Sequence, residues 1–240
     1  MLPKLKFKID YKKDVSSFLA FLRDAEFDEG RSLDWAVLKI YPYFKKYKSG
    51  PSLKINKKEV ESFVKDFYDK NRAEMEKNLK AYEEDWNKKE KEFYSLAQDL
   101  FGSKKWPNGK YIAYPTIWGM YPRFLENKTF QLPYKCKNKK SINTTIAHEM
   151  LHFIFYDYFY EKYPEYSKDE FNFFLWNVSE IFNSVIQNSP TWIKVFKTKN
   201  MDYPEHGKII KNLSEKYHKK DEIFIDELTK DIIKEAKTIC

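Results

Sequence analysis

Glycine is scarce in this chain, with 6 among 240 residues. No GxGxxG or GxxxxGK(S/T) run occurs, so there are no glycine loops of the kind that cradle nucleotide phosphates. Cysteine is scarcer still. Cys136 and Cys240 make neither a disulfide framework nor a CxxC metal pair, which fits a reducing, intracellular setting. No stretch approaches the roughly 20 apolar residues needed to span a bilayer. The opening Met-Leu-Pro-Lys-Leu-Lys-Phe-Lys lacks the apolar segment of a signal peptide. The expectation is a cytoplasmic protein without a membrane partner.

Charge and aromatic side chains are plentiful. Charged residues are 33% and aromatics 18% of the chain, and the net charge is +8. The lysines alternate with Asp and Glu and form no long block, so a solvated basic surface is expected rather than a nucleic-acid interface. The length allows one large domain, or a catalytic domain with an appendage.

Leu5, Phe7 and Ile9 alternate with charged residues, the pattern of a short half-buried strand. Asp14 is placed to cap a helix carrying Phe18, Leu19 and Leu22. A second helix is expected from about Trp35 to Phe44, before the break at residues 48–51. From Lys57 to Phe101 the chain reads as helix with an apolar face at Val60, Phe63, Val64 and Phe67; its charged middle leaves one narrow stripe to pack. After Trp106-Pro107-Asn108-Gly109, short strands are expected near 111–114 and 129–132, with a turn at Glu126-Asn127-Lys128. Two helices (142–163 and 168–188) and, after a loop with Pro190 and Pro204, two amphipathic helices (205–217 and 222–237) complete the chain.

The middle pair of helices is unusually poor in charge. Between Lys140 and Asp157 only Glu149 is charged, where about five charges would be usual at this composition. Apolar residues from Ile146 to Tyr156 cover that helix on nearly every side, so it is expected at the centre of the fold. An ionised carboxylate left unpaired there would cost several kcal/mol. His148 and His152 stand four residues apart, on one helical face and about 6 Å from each other. Two imidazoles so placed can converge on one zinc ion, with Glu149 within reach of its water. His148-Glu149-Met150-Leu151-His152 is the His-Glu-x-x-His pattern. Two core histidines beside a buried Glu form the alternative, which must find polar partners for all three.

Between Glu170 and Lys194 the single charge is Glu180. Ser167-Lys168-Asp169-Glu170 forms a capping box that starts this helix. From His152 to the Pro164 turn is about 18 Å of helix, and from Ser167 to Glu180 about 20 Å. Folded back antiparallel, Glu180 returns to the level of His152 as a third ligand, leaving a fourth position for water. That is the layout of a catalytic zinc site. The alternative is a carboxylate hydrogen-bonded to Asn177, Asn183 or Trp176.

At these residues the chain resembles the gluzincin group of zinc metallopeptidases, over roughly residues 105–210. Phe155 and Tyr158 stand where a metzincin would have glycine and a third histidine. The resemblance implies a zincin-like domain with a small sheet and an active-site helix, placed at 105–240; residues 1–104 carry no such resemblance and read from their pattern as a helical accessory region with a short strand, so the expected fold is α+β, mostly helical. The resemblance implies hydrolysis of a peptide or protein substrate with Zn²⁺ as cofactor and Glu149 as general base. It also implies an edge strand that aligns substrate, for which Thr129-Phe130-Gln131-Leu132 is the candidate and a plain core strand the alternative. Tyr203 and His206 are the candidates for stabilising the oxyanion, a surface loop being the alternative; His206 could instead replace Glu180 on the metal. Many gluzincins carry an Asp four residues after the ligand Glu, and this chain has Ser184 there, beside Asn183. Support for the metal histidines must then be weaker or come from elsewhere. His218 reads as solvated surface. A non-catalytic, zinc-stabilised binding protein remains the alternative function.

Overall fold

The computed structural model describes residues 2–22, 33–49, 52–136, 139–166, 173–220 and 222–239. Strand β1 (Lys6–Phe7) leads into helix α1 (Tyr11–Phe21), which Asp10 caps by accepting the backbone N–H of Lys12. The expected cap, Asp14, lies inside the first turn instead, because Asp10 already meets that helix end. Helix α2 (Leu33–Ile40), a 3₁₀ turn (Pro42–Tyr47) and a two-stranded hairpin, β2 (Lys48–Ser49) with β3 (Ser52–Leu53), follow.

The long helical stretch is two helices, α3 (Lys57–Asn87) and α4 (Glu90–Phe101). The break falls at Lys88 and Lys89, where no glycine or proline announces it. Val60, Val64, Tyr68, Met75, Leu79, Tyr82 and Trp86 form one buried stripe along α3. Its outer faces carry i,i+4 pairs such as Lys65–Asp69 and Arg72–Glu76, each contributing a few tenths of a kcal/mol.

Three further strands, β4 (Ile112–Thr116), β5 (Arg123–Phe124) and β6 (Thr129–Pro133), join β1 in a mixed sheet of order β1-β4-β6-β5. β6 is therefore no edge strand: β4 pairs parallel on one side and β5 antiparallel on the other. The Gln131 N–H is also taken, by the Pro122 carbonyl. Two residues beside Pro122 are too short a run to show alternation, which hid β5 in the sequence. The expected turn is present, with Lys128 at φ 53° leading into β6.

Helix α5 (Lys139–Lys162) is the expected central helix, and α6 (Phe173–Gln187), α7 (Pro190–Phe196), α8 (Gly207–Tyr217) and α9 (Ile225–Ala236) complete the order. The capping box at residues 167–170 lies outside the described residues. Every residue of α6 from 177 to 187 is buried, and the helix packs against α5, α7, α8 and α9. Phe155 stacks on Phe182 with ring centroids 4.2 Å apart. His218 is half-buried, not solvated: its Nε2 lies 2.8 Å from the Val185 carbonyl, which makes it a donor to α6. The composition is α+β with helix predominating. Among the described residues no helix is long and apolar enough to cross a membrane.

Contacts divide the chain into two compact units that do not follow the 1–104 and 105–240 division. One comprises Leu5–Glu83 with Lys110–Lys137, the other Met1–Lys4, Glu84–Gly109 and Asn138–Cys240. The parallel pairing of β1 with β4 is what carries the N-terminal segment into the first unit.

Within that first unit Asp14 is fully buried. Its carboxylate accepts from the Tyr68 hydroxyl and the Ile117 N–H, each at 2.9 Å, and from the Gln131 amide at 2.6 Å. Burial pushes its pKa up to about 6 from 3.8, and the hydrogen bonds only partly oppose this. Between those two values the folded state holds a proton that the unfolded chain has released, so stability falls as pH rises. The difference amounts to about 3 kcal/mol. Urea midpoints from pH 3.5 to 7 should show this slope in the wild type and lose it in Asp14→Asn.

Candidate metal centre

The two charge-poor helices run antiparallel and meet along a polar seam. Going up α5 through Thr144, His148, His152 and Tyr156, the partners on α6 descend. The Gln187 amide donates to the Thr144 carbonyl, Asn183 donates to the His148 carbonyl, Glu180 faces His152, and Ser179 donates to the Tyr156 hydroxyl. This is the fold-back expected from helix lengths, and it delivers Glu180 to the two histidines.

His148 Nε2 lies 3.1 Å from Glu180 Oε2, His152 Nε2 3.3 Å from Oε1, and the two Nε2 atoms 3.0 Å apart. Ligands about 2.0–2.1 Å from a tetrahedral ion stand about 3.3 Å from one another. The three side chains therefore already bracket a space of the right size. Among the described residues they are the one group of His, Cys, Asp or Glu side chains able to hold a metal ion. Three nitrogen and carboxylate donors suit zinc, and among the described residues no fourth from that set joins them.

Electrostatics within the group agree with the geometry. Burial opposes the charge on Glu180, yet the two imidazoles outweigh it and hold its pKa well below the ordinary carboxylate value. Burial likewise opposes charging His148, but Glu180, with smaller help from Glu149 and Gln187, raises its pKa above the ordinary value. His152 is fully buried, whereas the His148 side chain keeps 14% of its surface exposed and so marks the side on which the group meets solvent. Glu149 is buried next to His148 and is not part of the ligand group.

No protein-family model, curated protein or solved structure matches this chain. The centre is therefore read from its own chemistry.

The surroundings differ from the sequence reading in three respects. Asn183 and Asn177, offered there as partners for Glu180, turn to the His148 carbonyl and to His206 respectively. His206 stands outside the ligand group, which removes it as a substitute for Glu180. It is buried, with Nε2 2.6 Å from Asn177 Oδ1, and burial lowers its pKa, so it is neutral at pH 7. Tyr203 and His206 both pack on Trp176, one helical turn before Glu180, with centroids 4.8 and 5.7 Å away. Those contacts put the 203–206 segment beside the start of α6, half a nanometre or so from it.

Third, the histidine support that Ser184 cannot supply comes from Gln187 and Asn200. His148 Nδ1 lies 3.0 Å from Gln187 Oε1, and the Asn200 amide lies 3.3 Å from both that nitrogen and Ser184 Oγ. Gln187 is seven residues beyond Glu180, two turns on along the same face, and that spacing within a buried helix was the signal available in the sequence. Asn200 comes from a loop and left none.

Proposed function

We propose that the chain is a zinc-dependent peptidase, with His148, His152 and Glu180 holding the metal and Glu149 acting as general base. The observation that carries this reading is the convergence of three donor atoms at tetrahedral spacing, with His148 open to solvent. The antiparallel pairing of α5 and α6 that brings Glu180 to the two histidines, and the likeness of His148-Glu149-x-x-His152 plus Glu180 to gluzincins, support it further. When bound, Zn²⁺ supplies Lewis-acid chemistry, lowering the pKa of water and polarising a scissile carbonyl.

The chain's own residues do the remainder. Glu149 takes the proton of the attacking water and delivers it to the leaving amine. Tyr203 is the candidate to donate to the developing oxyanion; the neutral His206, its Nε2–H taken by Asn177 Oδ1, has no second hydrogen to give and keeps that role only when Nδ1 is protonated as well.

Natively purified protein should carry about one zinc per chain, and His148→Ala should carry none, by elemental analysis. A peptide library should then be cleaved in a manner lost to a chelator and restored by Zn²⁺. Metal at one per chain without any cleavage would assign the ion a structural part in a binding protein. No metal in the wild type, even when zinc is offered, would overturn the reading.

A further inference from the structure

We propose that Gln187 is a positioning residue that fixes His148 in the tautomer able to ligate through Nε2. This rests on the metal-centre reading for its purpose but not for its geometry. The orientation of the Gln187 amide follows from its two partners. The Thr144 carbonyl can only accept, so the atom 3.0 Å from it is the amide nitrogen. The amide oxygen therefore faces His148 Nδ1, also at 3.0 Å. An amide oxygen can only accept as well, so Nδ1 must carry hydrogen. In the neutral ring this leaves the lone pair on Nε2, the nitrogen 3.1 Å from Glu180 and 3.0 Å from His152.

One neighbour pulls the other way: the Glu180 carboxylate, 3.1 Å from Nε2, can only accept, so in the neutral ring the Gln187 bond holds on Nδ1 a hydrogen that Glu180 would draw to Nε2. His152 Nε2 can donate to His148 Nε2, consistent with their 3.0 Å separation. Asn200 fits when its oxygen is turned toward His148, since the Ser184 hydroxyl can donate to that same oxygen.

The pairing also explains why an amide stands here. A carboxylate at position 187 would serve the imidazole N–H but would set an oxygen against the Thr144 carbonyl. Glutamine satisfies both because one end of it donates while the other accepts. Gln187 is itself buried, 2% exposed, so neither bond is replaced by water when it is lost.

Two measurements on the full-length protein test this. Nitrogen-15 imidazole spectra of metal-free wild type, at a pH above the His148 titration, should show hydrogen on Nδ1 and a bare Nε2. Zn²⁺ competition against a chromophoric chelator should show Gln187→Leu weaker by 10–100-fold, the usual cost of losing an outer partner of a metal histidine. The Leu variant should also lose the single-tautomer signature. Hydrogen on Nε2 in the wild type would overturn the proposal without recourse to any variant. So would a folded Gln187→Leu protein with unchanged tautomer and unchanged zinc affinity, while leaving the metal centre standing. The converse result, the expected tautomer and its loss in Gln187→Leu but no zinc uptake by either protein, upholds the positioning and overturns the metal reading.

Discussion

Glu149→Gln should keep zinc at one ion per chain while peptide hydrolysis drops by roughly 10²–10⁴-fold, the span general acid–base catalysis supplies. Glutamine has the volume of glutamate and can still hydrogen-bond, so the apolar packing around Ile146, Met150 and Phe153 on α5 has no reason to change. Only the capacity to take a proton is removed. Metal uptake should be indifferent because Glu149 stands outside the ligand group. Elemental analysis and turnover of one peptide, measured on the same preparation, decide it. Undiminished turnover would remove Glu149 as the base, and loss of zinc would make it a ligand.

Glu180→Ala should cost most of the metal affinity. It removes the one anion among the three ligands, and zinc affinity should fall by more than the 10–100-fold that loss of an outer partner costs. The same carboxylate has a second, metal-independent signature. In metal-free protein the depressed pKa of Glu180 contributes stability above its ordinary value of 4.5, lost as pH falls through the folded value. The raised pKa of His148 contributes stability below its ordinary value of 6.5, lost as pH rises through the folded value. The advantage of metal-free wild type over Glu180→Gln should therefore be greatest between 4.5 and 6.5 and shrink on both sides. Urea midpoints in the presence of a chelator would show it, and a difference independent of pH would mean that the ion pair does not form.

Much of the centre was legible in the sequence because charge is costly to bury. Glu149 and Glu180 stood out as lone charges in apolar helices, and the four-residue spacing of His148 and His152 gave them a shared partner. Helix arithmetic then brought Glu180 to His152, where the structure has it. What stayed hidden was neutral or distant. Gln187 and Asn200 cost little to bury when paired and carry no charge to draw notice. Asp14 was misread because a helix start and a buried hub use the same residue type. Its true partners, Tyr68, Ile117 and Gln131, lie 50 to 120 residues away, beyond the reach of any local pattern. The sheet was partly hidden for the same reason, since β1 finds β4 across more than a hundred residues.

That long reach also sets a timetable. The unit containing the sheet is completed only by Lys110–Lys137, and the unit holding His148 and Glu180 draws on segments from both chain ends. A ribosome releases the chain from its first residue onward, and segments fold as their partners emerge. The edge that β1 must join does not exist until β4 has been made. α6, which carries Glu180, is wrapped by α8 and α9, which are made after it. On the proposed reading, capture of an ion by the three residues waits until α8 and α9 have closed on α6, so a zinc ion would be loaded only after those helices have been made.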